Sequence, residues 1–228
     1  MNAVPAGVAA LLALADQRTP SGGHVHSGGI EEAVRGRLVT DGPTLRAFLH
    51  RRLLAVGLVT AGLAAAAAGA TSATVARLDA EADARAPSPA QRAASRAQGR
   101  GLLRLARAAW VGPHPGLAWA DLGPRPHHPV VVGCASRAAG LGPPEAALVS
   151  AYLAVTGPAT AAQRLLSLDP VEVAVLTLEL GAEVDAVAAR AAAAAADADP
   201  SALPDEGDPL LDLLAERHAA RGDRLFAS

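Results

Sequence analysis

Apolar residues recur along this chain in steps of three and four, and no stretch alternates with a period of two over the length of a strand. Leu45, Phe48, Leu49, Leu53 and Val56 keep the i, i+3, i+4 rhythm that puts side chains on one face of a helix. Asp41-Gly42-Pro43 marks the start of that helix, which runs to about 69 or breaks near Gly57 or Gly62. A shorter helix is predicted over 6–16, where Leu11, Leu12 and Leu14 form an apolar face. Another begins near Ser27 to Gly29, with Glu31 and Glu32 in its first turn, where carboxylates suit the helix dipole. Helices at 71–84 and 89–110 follow, the second opened by a cap residue and a first-turn proline, Ser88-Pro89. Pro113 to Pro129 reads as a loop. Three helices come next, 130–139, 144–155 and 159–166, divided by Gly140-Leu141-Gly142-Pro143 and by Gly157-Pro158. The pattern over 171–196 predicts one long helix, 197–209 an acidic surface loop or disordered linker, and 210–220 a last helix before the tail 221–228. The sum is all-α, one domain over 1–228, a bundle of roughly eight to ten helices.

Composition narrows the chemistry. The chain is 51% apolar but only 2% aromatic, so its core must be close-packed Ala, Leu and Val. All 20 basic side chains are arginine, which excludes a P-loop lysine, a Schiff-base lysine and a lysine general base. Cys134 is the single cysteine, so no intrachain disulfide or cysteine-built zinc site can form, and its apolar neighbours predict a buried, inert thiol. The first apolar run has no basic leader, so no signal peptide is expected. The charge-free stretch 53–76 is long enough for a bilayer but is mostly Ala, Gly and Thr, so a soluble helix and no membrane contact are expected.

Charge is uneven. Six arginines and no acid lie between Arg85 and Arg107, whereas twelve acids and one arginine lie between Asp169 and Glu216. Arg92, Arg96, Arg100 and Arg104, at steps of four, share a slowly drifting helix face that suits an acidic protein surface. Asp79-x-Glu81-x-Asp83 does not place its three carboxylates on one helix face and reads as surface. His24-x-His26 could offer two imidazoles to a metal, with no third ligand evident; His127-His128, between prolines, should point apart. Ser21-Gly22-Gly23 lacks the spacing of a phosphate loop, and no nucleophile elbow is present. No catalytic residue and no cofactor are expected.

The stretch from Leu11 to Glu31 carries a resemblance. Leu11-Leu12-x-Leu14-Ala15-Asp16-x-x-x-Pro20-x-Gly22-Gly23-x-x-x-Ser27-x-Gly29-Ile30-Glu31 is similar to the amino-terminal signature of the urease accessory protein UreF family. His218 with Arg224-Leu225-Phe226-Ala227-Ser228 resembles that family's carboxyl end, and the helix from Ser88-Pro89 to Leu105 resembles its actinobacterial branch. The chain departs from the pattern at His24, Gly28, Asp169-Pro170 and Ala227. The resemblance implies a cytoplasmic all-α protein, homodimeric and without catalysis of its own. It also implies a UreD-type (UreH-type) accessory protein, a UreG-type GTPase and urease apoprotein as partners, with this chain as scaffold and gate of GTP hydrolysis during nickel delivery. Pro20, Gly22, Gly23, Ser27, Gly29, Glu31, Arg96, Arg100, His218, Arg224, Leu225 and Phe226 are then the candidate partner-binding residues, with Arg224 and Phe226 expected as an exposed anchor. Two other readings stay open: a nickel carrier using His24, His26 and His127-His128, and a helical nucleic-acid binder using the arginine stripe.

Overall fold

Caps and first-turn prolines set the helix ends in the computed structural model, which describes residues 7–19, 25–197 and 199–228. The helices are α1 (Val8–Ala15), α2 (Ile30–Arg35), α3 (Gly42–Arg52), α4 (Leu58–Ala68), α5 (Ser72–Ala84), α6 (Pro89–Ala109), α7 (His128–Ala138), α8 (Pro143–Leu166), α9 (Pro170–Glu179), α10 (Gly181–Ala194) and α11 (Pro209–Ala219). A π-helical turn, Leu53–Gly57, fuses α3 and α4 into one continuous helix, leaving ten helices and no strand among the described residues. Asp41 accepts from Thr44 N at 2.9 Å, Ser88 from Gln91 N at 3.1 Å and Asp208 from Leu210 N at 3.0 Å. Each satisfies an amide that the first turn leaves without a helical partner, worth about 1 kcal/mol.

The α4 helix is the axis of the body. Ala61, Ala64, Ala65, Ala67 and Ala68 are all buried on it, and it packs against α7 on one side and α8 and α10 on the other. One apolar cluster joins α4 to α5, α6, α7 and the Leu117–Trp119–Leu122 loop; a second joins it to α2, α3, α8, α9, α10 and α11. Small side chains permit this sharing because they let two helices approach α4 closely. At Gly133 an added Cβ would sit 2.2 Å from Ala64 O and 2.7 Å from Ala67 Cβ. Cys134 beside it is fully buried, its thiol pushed up to about 12 by desolvation, as an inert core thiol should be. The fused helix Gly42–Ala68 is the one described helix long and apolar enough to cross a membrane, with a mean hydropathy of 1.4, and 67% of that window is buried inside the protein.

Three boundaries differ from the pattern-based expectation. Gly157-Pro158 does not divide two helices: α8 runs through it, with Pro158 buried inside. Ala154, Val155, Ala159, Ala161 and Ala162 are buried on either side, and that packing outweighs the proline penalty of about 3 kcal/mol. The single helix expected over 171–196 is instead α9 and α10, parted at the buried turn residue Leu180. The acidic segment 197–209 is no linker. Arg85, on a side chain only 7% exposed, donates to the carbonyls of Pro200, Leu203 and Pro204 at 3.0, 3.2 and 3.0 Å, and Leu203 is buried in the first cluster.

The close α4–α7 crossing predicts that Gly133→Val lowers stability by about 3 kcal/mol or more through overpacking. Gly181→Ala, where nothing lies within 4 Å of the added Cβ, should instead be neutral or gain about 0.5 kcal/mol. Thermal unfolding followed by circular dichroism checks both; similar melting of the two variants would remove the crossing from the account.

Candidate functional site

Gly28 and Gly29, at φ +63 and +92, turn the chain into α2 through backbone geometry that L side chains rarely adopt. The turn brings Glu31 into the interior, where its side chain is 1% exposed. A carboxylate buried this far needs donors on its oxygens, and the C-terminal tail supplies them. Leu225 N donates to Oε1 at 2.9 Å, Phe226 N to Oε2 at 3.0 Å, and His218 Nε2 lies 2.9 Å from Oε2. The tail also pairs with the segment before α2: Ala227 N donates to Val25 O at 2.7 Å and Ser27 N to Ser228 O. Arg35, one turn after Glu31, donates to Asp223 O at 3.0 Å and lies 3.2 Å from its carboxylate. Burial alone would raise the Glu31 pKa, but the Leu225, His218 and Phe226 hydrogen bonds outweigh it and hold the carboxyl below its ordinary value.

The candidate residues therefore separate by place. Ser27, Gly29, Glu31 and His218 are buried and hold the tail. Arg224 and Leu225 are exposed, whereas Phe226, expected exposed, is partly buried against the second apolar cluster because its own amide is drawn to Glu31. Pro20, Gly22, Gly23 and His24 lie outside the described residues, as does Ser21. His26 is partly buried with Nδ1 at 2.5 Å from Ser228 Oγ, and no cluster of three metal-ligating side chains occurs among the described residues.

The arginine stripe is not uniform. Arg96 reaches back to Asp79 at 3.0 Å and Asp83 at 2.5 Å, and also donates to Arg125 O. His127 joins the same network through Asp83 at 2.9 Å and Ser95 at 3.0 Å. Asp79 and Asp83, read as surface, are thus one helical turn apart on the face that fastens α5 to α6 and to the loop before α7, while Glu81 pairs with Arg85. Arg100 and Arg104 are exposed, with no ion pair among the described residues.

Exposed apolar side chains occur on α9 and around a groove. Val171, Val175 and Leu178 are exposed at helical spacing along α9, and Leu12 on α1 and Tyr152 on α8 are exposed beside a groove of about 880 Å³ that Phe226 also lines. Such an arrangement can hold another macromolecule; nothing in it positions a nucleophile and a base.

A family model named UreF matches residues 39–181, more than half of the chain. The chain belongs to the UreF family. It is similar to proteins named urease accessory protein UreF, 54% identical in Mycobacterium sp. (strain JLS) over 96% of this chain and 97% of that one. The relative in Mycolicibacterium vanbaalenii is 53% identical, and that in Mycobacterium tuberculosis (strain ATCC 25618 / H37Rv) 50%, each over 97% of this chain and 99% of its own. UreF proteins are accessory proteins, so this member is not an enzyme. The family model begins at Val39, so the Glu31 clamp of this UreF-family chain lies outside the matched segment.

Glu31→Gln should loosen the tail, because the amide keeps one accepting oxygen but its nitrogen cannot accept, leaving the Leu225 or the Phe226 N–H without a partner. A loss of about 3 kcal/mol is expected, together with rapid hydrogen exchange at one or both of those amides. The pH dependence follows from the lowered pKa. The carboxylate's contribution is complete above its ordinary value of 4.5 and is lost as pH falls through the lower folded value, so the variant should show a flatter acid limb. Unchanged protection of the two amides would remove Glu31 from the tail's anchorage.

Proposed function

We propose that this chain is a urease assembly factor that scaffolds a UreD(UreH)–UreF–UreG-type complex and gates the GTPase while nickel is delivered to urease apoprotein. The observation that carries the reading is a tail clamped through Glu31, whose Phe226 lines a groove together with exposed Leu12 on α1 and Tyr152 on α8. A tail held in one geometry loses less freedom on docking than a mobile one, so its exposed Arg224 and Leu225 can contribute fully to an interface. On this reading Ser27, Gly29, Glu31 and His218 serve partners through the tail they position, and Phe226 supports it from beneath. Arg100, unpaired and exposed, is the better arginine for an acidic partner than Arg96, whose charge is already met by Asp79 and Asp83. A homodimer and a cytoplasmic location belong to the same proposal. The carrier and nucleic-acid readings draw less support, since His26 is engaged by Ser228 and part of the arginine stripe is neutralised within the fold.

The test is co-purification of the full chain with its UreD-type and UreG-type partners. Val175→Glu with Leu178→Glu, and separately Leu225→Glu, should each cut recovered complex by about tenfold or more while leaving the melting curve unchanged. Full recovery with every variant would place the interface elsewhere.

A further inference from the structure

Between α6 and the fused α3–α4 helix lies a cavity of about 410 Å³, bounded also by α8, α11 and the tail. Its walls include Val59, Leu63, Leu153 and Leu211, and at one end stands Arg52, the last residue of α3. Arg52 makes no hydrogen bond or ion pair among the described residues, and its Nε is shut off from solvent without a partner. Of the other charged groups that line the cavity, Asp208 pairs with Arg51, Arg85 with Glu81 and Glu206 with Arg190, and Asp212 accepts from Gln91, while Arg224 stands exposed on the tail. Desolvation with no facing carboxylate brings the Arg52 guanidinium down to about 10, so it is still charged at neutral pH. Arg52 as a whole is partly buried, and a cation held against an apolar wall without a partner is costly unless something anionic meets it.

Two local features keep the guanidinium in place. A Cβ on Gly28 would sit 3.2 Å from Arg52 Cζ and 3.0 Å from Pro158 Cγ, so a glycine at this turn is what leaves the arginine its room. The π-helical turn Leu53–Gly57 follows Arg52 directly, and such turns gather at functional positions because they re-aim the side chains beside them. His128 and His26 also line the cavity; burial, and then the charge of His26, lowers the His128 pKa to about 4, an environment that disfavours further positive charge.

We infer that this cavity binds a small molecule with an oxyanion head and an apolar body, the head seated on Arg52. The volume falls in the ordinary range for small-molecule pockets, about 300–1,000 Å³. Its largely apolar wall favours an organic anion over a bare inorganic one. The cavity shares Arg224, Ala227 and Ser228 with the tail but no residue with α9, and its test does not use partner capture.

The experiment is a fluorescence titration of the full chain with two probes of similar body, anionic 8-anilinonaphthalene-1-sulfonate and neutral N-phenyl-1-naphthylamine. Arg52→Met should weaken sulfonate binding by about tenfold or more and change neutral-probe binding by less than about twofold. Without probe, Arg52→Met should melt at or above the wild-type temperature, because an unpaired, partly buried charge has been removed. Arg52→Lys, which keeps the charge but not the planar fork, should fall between the two in sulfonate affinity. Failure of the wild-type chain to bind the sulfonate, or equal loss of both probes in Arg52→Met, overturns the site. Should Arg52→Met not fold, Arg52→Lys decides: weakened sulfonate binding with neutral binding intact upholds the site, and unchanged sulfonate binding overturns it.

Discussion

A single buried carboxylate disciplines both ends of this chain. Glu31 cannot stay ionised in the interior without donors; its own helix offers only Arg35 at 3.6 Å, and the hydrogen bonds come from Leu225 N, Phe226 N and His218. Withdrawing the tail would strand the charge, so the last residues are held in place although most are exposed.

The helical body rests on a different constraint, the closeness that alanine and glycine allow. With so few aromatic side chains, burial has to come from many short contacts, and α4 obtains them by standing between two apolar clusters. Rigidity follows from close approach. The same closeness leaves little room for adjustment at Gly133 and Gly99, where a Cβ would meet backbone oxygens at 2.2 and 2.0 Å. It also explains how a proline can sit inside α8: both flanks are held by packing that local backbone preference does not describe.

Among the described residues the basic and acidic stretches do not neutralise one another; each finds other partners. Arg85 and Arg96 of the basic stretch meet Glu81 and Asp79 with Asp83 on α5, while in the acidic stretch Asp208 meets Arg51 of α3 and Glu206 meets Arg190. What remains unpaired then becomes informative. Arg100 and Arg104 face solvent, where an unpaired cation costs little, whereas Arg52 is partly buried with its Nε shut off from solvent, where it costs more.

The sequence alone determined the all-α class, the helices at 71–84, 89–110 and 210–220 to within a residue or two, and the inert Cys134, because periodicity, caps and composition are local signals. It also carried the resemblance to the UreF family, in motifs that lie partly at residues now seen as structural. Only the tertiary structure decided that α8 continues through Pro158, that the acidic segment after α10 is pinned by Arg85, and that Phe226 turns inward. It alone separated Arg96 from Arg100, and it alone made Arg52 conspicuous within His50-Arg51-Arg52, where nothing in the local pattern tells a paired arginine from an unpaired one. The reason is the same in each case. Burial and pairing are set by residues tens to nearly two hundred positions away, and a local pattern records which side chains are present but not which of them will meet.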